Sequence, residues 1–277
     1  MNIYKTTAGI LIKREASFFL LESQWDEFIN RDDLYAYGLD RIRSLSPFDR
    51  AGDILQHGLL PPVGRQEVWA AGVTYMRSRE ARMEEAREKG GGDFYDRVYH
   101  AERPEIFFKS NPSRVVGSGG RVRIRKDSAW NVPEPELTLL VSSNAKITGY
   151  TAGNDMSSRD IEGENPLYLP QAKTYDGSAA LGPGIYVTPE ALPPGTKIKM
   201  EIIRKGSGLF ASDVLISQMK RSFTELVDYL FRETSFPDGC FLMTGTGIVP
   251  PDDFSLQTGD EVRISIDHMG TLVNYVE

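Results

Sequence analysis

From about residue 105 to Tyr150 the chain is a succession of short β-forming runs, EIFFK, RVVGSGGRVRIR, ELTLLV and ITGYTAG, with only turn-length breaks between them. The runs IYVT (185–188) and KIKMEIIR (197–204) continue the pattern, and CFLMTGTGIV and DEVRISIDHMGTLVNYV return to it at the C-terminus. A chain with so many short strands must bury their faces against one another, which predicts a β-rich α+β fold closed on itself. One clear amphipathic helix interrupts the pattern over 217–233, where Met219, Phe223, Leu226, Val227, Leu230 and Phe231 recur at helical spacing as a core-packing stripe.

Residues 1–65 have a different texture. GILIK and SFFLLE read as strands, WDEFI and the stretch Leu34 to Leu45 as helices, and the two prolines of LLPPVGR (59–65) mark a linker. This predicts a small N-terminal α+β domain over 1–65 and a catalytic domain over 66–277. The segment MRSREARMEEAREKGGG (76–92) is charged, rich in helix formers and ended by three glycines. It is either a solvated surface helix or, with residues up to 102, a lid hinged at Gly90-Gly91-Gly92.

The 40% hydrophobic and 26% charged content is that of a water-soluble protein. No apolar run reaches the roughly 18 residues that cross a bilayer. Lys5, Lys13, Arg14 and Glu15 break any signal-peptide stretch, and the single cysteine, Cys240, permits no intrachain disulfide. Both features predict a cytoplasmic protein with no membrane partner. The net charge of −7 argues against nucleic acid as a partner.

The chemistry begins at VPEPELTLLV (132–141). Side chains on a strand alternate faces, so Glu134 and Glu136 share one face, about 7 Å apart, while Leu137, Leu139 and Val141 share the other. Such a carboxylate pair repels itself unless something neutralises it. SSNAK (142–146) is a turn by composition, and ITGYTAG runs back antiparallel. A turn centred between Ser143 and Asn144 sets residue i opposite about 287 − i. Asp155 then falls just past the pairing of Gly153 with Glu134, within reach of both glutamates. Three oxygen donors without histidine or cysteine suit a hard divalent cation, Mg²⁺ first, with Mn²⁺ or Ca²⁺ as alternatives. Geometry alone leaves open two exposed strand glutamates beside an unrelated turn aspartate.

The order E-P-E, then N-D-M-S-S-R-D (154–160), Q-A-K (171–173) and T-G-T-G (244–247) resembles the fumarylacetoacetate hydrolase superfamily from about Val68 onward. The resemblance implies a β-roll with a small N-terminal domain, assembled as a homodimer or homotetramer. It implies metal ligation by Glu134, Glu136 and Asp155, with Lys173 as the active-site lysine. It also implies substrate contacts from Thr246 and Gly245 of the glycine-flanked loop, from Arg159 and from Tyr75. The hydrolytic and decarboxylating members resemble G-x-N-Y-x-x-H at 72–78, but here the histidine position is Ser78 and the acid that follows it falls at Ala81. The histidines present are His57, His100 and His268, none in a recognisable motif. Losing the water-activating base argues for a reaction in which water is a product. RPEIFFK (103–109), PEPEL and ENPLYLPQAK (164–173) are similar to the family's dehydratases of 2-keto-3-deoxy-D-arabinonate and the identical D-xylonate-derived compound, in which Glu105 lines the site. That likeness implies Mg²⁺-assisted dehydration of a small 2-keto acid to 2-oxoglutarate semialdehyde, with Lys173 and Glu105 sharing the base and acid roles. Two other readings stand beside it. One is a hydrolase or decarboxylase of 2,4-diketo acids using Glu80 or Glu84 as base, and the other is a metal-bound sugar-acid binding protein without catalysis.

Overall fold

The structure is a computed structural model that describes residues 1–86 and 92–277. The N-terminal part supplies β1 (Asn2–Thr6), β2 (Gly9–Arg14) and β3 (Ser17–Leu21), then α1 (Trp25–Ile29), α2 (Leu34–Ile42) and α3 (Ala51–His57). The expected strands and helices of this part are all present. Next come β4 (Glu67–Gly72), α4 (Met76–Ala86), α5 (Gly92–His100), β5 (Glu105–Ser110), β6 (Val115–Val116), β7 (Arg121–Val122), β8 (Asn131–Val132), β9 (Pro135–Val141), β10 (Ile147–Asp155) and β11 (Ser157–Ser158). The chain finishes with α6 (Arg159–Glu164), α7 (Leu169–Lys173), β12 (Ala179–Tyr186), β13 (Lys197–Arg204), β14 (Ser207–Leu215), α8 (Phe223–Phe231), β15 (Cys240–Met243), β16 (Glu261–Ile266) and β17 (Gly270–Val276). Gly90 and Gly91 of the expected hinge, and the side chains of Ala81 and Glu84, lie outside the described residues.

Two mixed sheets carry the fold. The larger runs β3-β2-β1-β12-β10-β9-β15-β4-β5, with β6 added to β12, and the smaller runs β14-β13-β16-β17-β7. The N-terminal strands thus continue the large sheet through the β1–β12 pairing. The expectation of a sheet closed on itself is not met, because neither sheet joins its own edges. The edge strand β5 is capped instead: Thr174, just past α7, donates its hydroxyl to the Phe108 carbonyl at 3.1 Å. Covering an edge in this way satisfies backbone groups that closure would otherwise pair.

The alternation read in β9 is borne out. Leu137, Leu139 and Val141 pack with Ile198, Met200, Ile264 and Leu272 between the two sheets, where α8 adds Leu226, Val227 and Leu230. Leu140, on the other face, joins the N-terminal core of Ile3, Ile12, Trp25, Phe28 and Phe241. Both faces of β9 are therefore buried, and only Glu136 at its start meets polar company. Helix α8 is shorter than the expected 217–233. Ser222 caps it by accepting the Glu225 N–H at 3.2 Å, while Met219 forms a strand-like bridge with Tyr75.

Candidate active site

The β9–β10 hairpin builds the centre. Its register differs from the one expected: Gly153 faces Glu136, and Asn154 faces Pro135. Ala145 takes a left-handed φ of 59° in the turn, and the ladder shifts again between Ile147 and Gly149. Each irregularity moves the pairing by one residue, so the sum of partners becomes two greater. Asp155 is consequently directly opposite Glu134, and the two exchange backbone hydrogen bonds of 2.9 and 3.2 Å. This places the three acids closer than the simple hairpin predicts. One carboxylate oxygen from each of Glu134, Glu136 and Asp155 lies within 4.8 Å of the others, and all three residues are buried.

Cations and an N–H surround the triad. The wholly buried Lys173 Nζ is 2.7 Å from Glu134 Oε2, 3.2 Å from Asp155 Oδ2 and 2.6 Å from Ser157 Oγ. Arg159 donates to Glu134 Oε1 at 2.8 Å. Gly245, at φ 93°, donates its N–H to Glu136 Oε2 at 2.6 Å, and a Cβ there would come within 2.0 Å of Thr74 Oγ1. The glycine of the TGTG loop therefore lets the backbone reach the triad. Thr246 borders the cavity, and its hydroxyl exchanges 3.1 Å hydrogen bonds with the Ile248 backbone.

Burial, with the charges of Asp155 and Glu134 added to it, pushes the Glu136 carboxyl well above the usual carboxylate range. Burial raises Asp155 too, but the Lys109 and Lys173 ammoniums outweigh it and hold that carboxyl below its ordinary value. Burial and the nearby Glu136 push the Tyr75 phenol up. Its hydroxyl is buried with no hydrogen-bond partner among the described residues.

A small cavity is lined by Gly72, Val73, Ser78, Phe107, Arg159, Lys173, Thr246 and the triad, and Glu105 and Tyr75 are not among its lining residues. Glu105 pairs with Gly72 across β4 and β5, and its carboxylate lies over that glycine: a Cβ on Gly72 would meet Glu105 Oε2 at 1.9 Å. Ser78 does not present a free hydroxyl. It donates to the Tyr75 carbonyl at 2.8 Å and accepts the Tyr75 N–H at 3.2 Å, so it caps the start of α4. Among the described residues no histidine lines the cavity. His268 stacks on Tyr186, and His100 lies 3.7 Å from Asp96.

Two buried charges went unread in the sequence. Lys109 is 2.5 Å from Asp155 Oδ1, and Glu162 is 3.9 Å from Lys173 Nζ. Strand period alone does not fix the face of Lys109, because the residue sits at the register shift between β4 and β5.

An oxygen-only, buried, convergent acid set with a raised carboxyl fits a hard divalent cation, whose charge would offset the mutual repulsion of the three acids. Comparison with known proteins defines the class. The family described as "Fumarylacetoacetate (FAA) hydrolase C-terminal" matches residues 68–277, and the chain belongs to this family. More particularly, it is 48% identical over 217 residues to a probable 2-keto-3-deoxyxylonate dehydratase of Haloferax volcanii, covering 78% of this chain and 73% of that one. It is 45% identical over 218 residues to a 2-dehydro-3-deoxy-D-arabinonate dehydratase of Saccharolobus solfataricus, with the same two coverages. The solved structure of a 2-keto-3-deoxy-D-arabinonate dehydratase complexed with magnesium and 2,5-dioxopentanoate superposes with a TM-score of 0.85 at 33% identity, covering 100% of this chain and 98% of that one. No helix among the described residues is long and apolar enough to cross a membrane.

Proposed function

We propose that this chain is a Mg²⁺-dependent hydro-lyase that converts 2-keto-3-deoxy-D-arabinonate, the compound also derived from D-xylonate, to 2,5-dioxopentanoate (2-oxoglutarate semialdehyde). The observation that carries it is a wholly buried Lys173 amine against two acids of the triad, with Glu105 against Gly72 of the cavity lining and a backbone-bonded Ser78 instead of a histidine. Held by Glu134, Glu136 and Asp155, Mg²⁺ would supply Lewis-acid polarisation of the substrate's 2-keto group.

The residues do the rest. Lys173 takes the C3 proton, and Glu105 protonates the C4 hydroxyl as it leaves, so one water departs and a C3=C4 bond forms. Proton loss from C5 and return at C3 then shift the double bond, and the C5 enol tautomerises to the aldehyde. Arg159, Tyr75 and Thr246 hold the carboxylate end, with the buried Tyr75 hydroxyl as a ready donor. Gly245 contributes by fixing Glu136 through its N–H.

Incubation with 2-keto-3-deoxypentonate should yield the semialdehyde, read by its oxidation in a coupled dehydrogenase assay. Cleavage of acylpyruvates would instead favour the 2,4-diketo acid hydrolase. Binding of the sugar acid without turnover would favour a binding protein. We further assign residues 1–65 as a small domain, the cytoplasm as location, and a homodimer or homotetramer as the assembly. Limited proteolysis, cell fractionation and light scattering check these in turn.

A further inference from the structure

Lys109 is the one lysine on β5 and is wholly buried. An ammonium in such a place must have its hydrogens accepted. They are: its Nζ is 2.5 Å from Asp155 Oδ1 and 2.9 Å from the Met156 carbonyl, and it also donates to the Lys173 carbonyl. The ammonium thus lies against one carboxylate and two backbone carbonyls, and two of these three groups belong to Asp155 and Lys173 of the site. The strand geometry explains how the side chain reaches them. Between β4 and β5 the register passes from Val68–Ser110 to Trp69–Phe108, so Lys109 is the extra residue of a bulge. Bulges at sheet edges re-aim side chains.

We propose that Lys109 is the positioning residue of the metal centre: it engages Asp155 Oδ1 and so fixes the carboxylate with Oδ2, the oxygen 3.2 Å from Lys173 Nζ, as the one that Asp155 turns to the cation. It also ties the carbonyl of Lys173 to the same carboxylate, so one side chain sets both a ligand and the backbone that carries the base. This role rests on the triad being the metal site of the proposed function.

The test is Mg²⁺ calorimetry on the purified protein without substrate, comparing wild type with Lys109→Met. The methionine keeps the stem length and removes the donors. With near-UV circular dichroism unchanged, Mg²⁺ affinity should fall about 10–100-fold, as for other groups that orient a metal ligand. Lys109→Arg should not restore it, because a planar fork cannot meet three converging acceptors. Wild-type or tighter Mg²⁺ binding by a folded Lys109→Met overturns the proposal. Should that variant fail to fold, a crystal structure of the wild type with Mn²⁺ decides. Asp155 bound through one oxygen, with the other on Lys109, supports the assignment, and two Asp155 oxygens on the metal overturn it. Mg²⁺ binding by a wild type that does not dehydrate 2-keto-3-deoxypentonate would sink the proposed reaction and leave the role of Lys109 standing.

Discussion

Replacing Glu136 by glutamine should make the protein more stable without Mg²⁺ and blind to Mg²⁺. Glu136 is buried and faces two other acids across no more than 4.8 Å. At that distance and an effective dielectric of about 20, each like-charge pair costs roughly 3 kcal/mol before Lys109, Lys173 and Arg159 are set against it. Glutamine removes both repulsions and keeps the oxygen that accepts the Gly245 N–H. For the wild type the sign with pH follows from the raised Glu136 carboxyl. A carboxyl raised in the folded state contributes stability without metal that is full below the ordinary value of 4.5 and is lost as pH rises through the raised one. Asp155, held low, acts in the opposite direction, and its contribution is lost only as pH falls below the ordinary aspartate value of 3.8. Mg²⁺ at about 100 times its dissociation constant should stabilise the wild type by about 2.7 kcal/mol, a Tm rise of about 5–10 °C. This rise should grow with pH, because metal and proton compete for Glu136. The assay is differential scanning calorimetry of both proteins between pH 5 and 8, with and without Mg²⁺. A Mg²⁺-dependent Tm rise in Glu136→Gln equal to that of the wild type would refute the triad as the metal site. A lower metal-free Tm for Glu136→Gln at pH 8 would refute the repulsion argument.

Lys173→Met should abolish exchange of the C3 hydrogen with solvent deuterium, whereas Glu105→Gln should keep exchange and slow water loss by about 10²–10⁴-fold. The reverse pattern, read by NMR of the substrate, would exchange their roles. Ser78→His alone should create no acylpyruvate cleavage, since the ring would have no orienting acid and would lose the Ser78 cap on Tyr75. Ser78→His with Ala81→Glu adds that acid about one helical turn on, and any gain in cleavage should appear only in the pair. Arg221 donates to the carbonyls of Val98, Ala101 and Glu102, so Arg221→Ala should cost about 1–3 kcal/mol and speed hydrogen exchange over 98–102 while sparing Mg²⁺ affinity. Substrate should add hydrogen-exchange protection across the 76–102 segment, and equal protection with and without it would refute the lid.

The acid triad was legible because two simple rules converge on it: period-two alternation sets Glu134 beside Glu136, and a short turn returns the chain to them. What those rules could not supply was the register. It depends on the left-handed Ala145 and on a bulge at Thr148, neither of which a residue type announces. The helix at 217–233 was read too long because Met219 fits the apolar spacing, yet its backbone bridges to Tyr75, and Ser222-x-x-Glu225 starts the helix later. That capping pattern stood in the sequence unread. Lys109 was missed because a lysine on a strand ordinarily belongs to a wet face, and its inward aim comes from a bulge in tertiary pairing.

The charges assembled by these separate elements have a joint consequence. With every one ionised, Glu134, Glu136, Asp155 and Glu162 stand against Lys109, Arg159 and Lys173, one negative charge in excess among the described groups of the centre, and a proton on Glu136, whose carboxyl is raised, brings the count to zero. A divalent cation reverses the sign to a single positive charge, and a monoanionic 2-keto acid brings it to neutrality. In a buried site an unbalanced charge is the costly state. The metal-free centre therefore offers the substrate's carboxylate no net positive charge and the metal-loaded one attracts it, which predicts that Mg²⁺ binds first. Calorimetric titration should show the monoanionic analogue 2-oxobutyrate binding only after Mg²⁺ has been added. Equal affinity of this anion for the metal-free protein would show that the three cations alone determine its recognition.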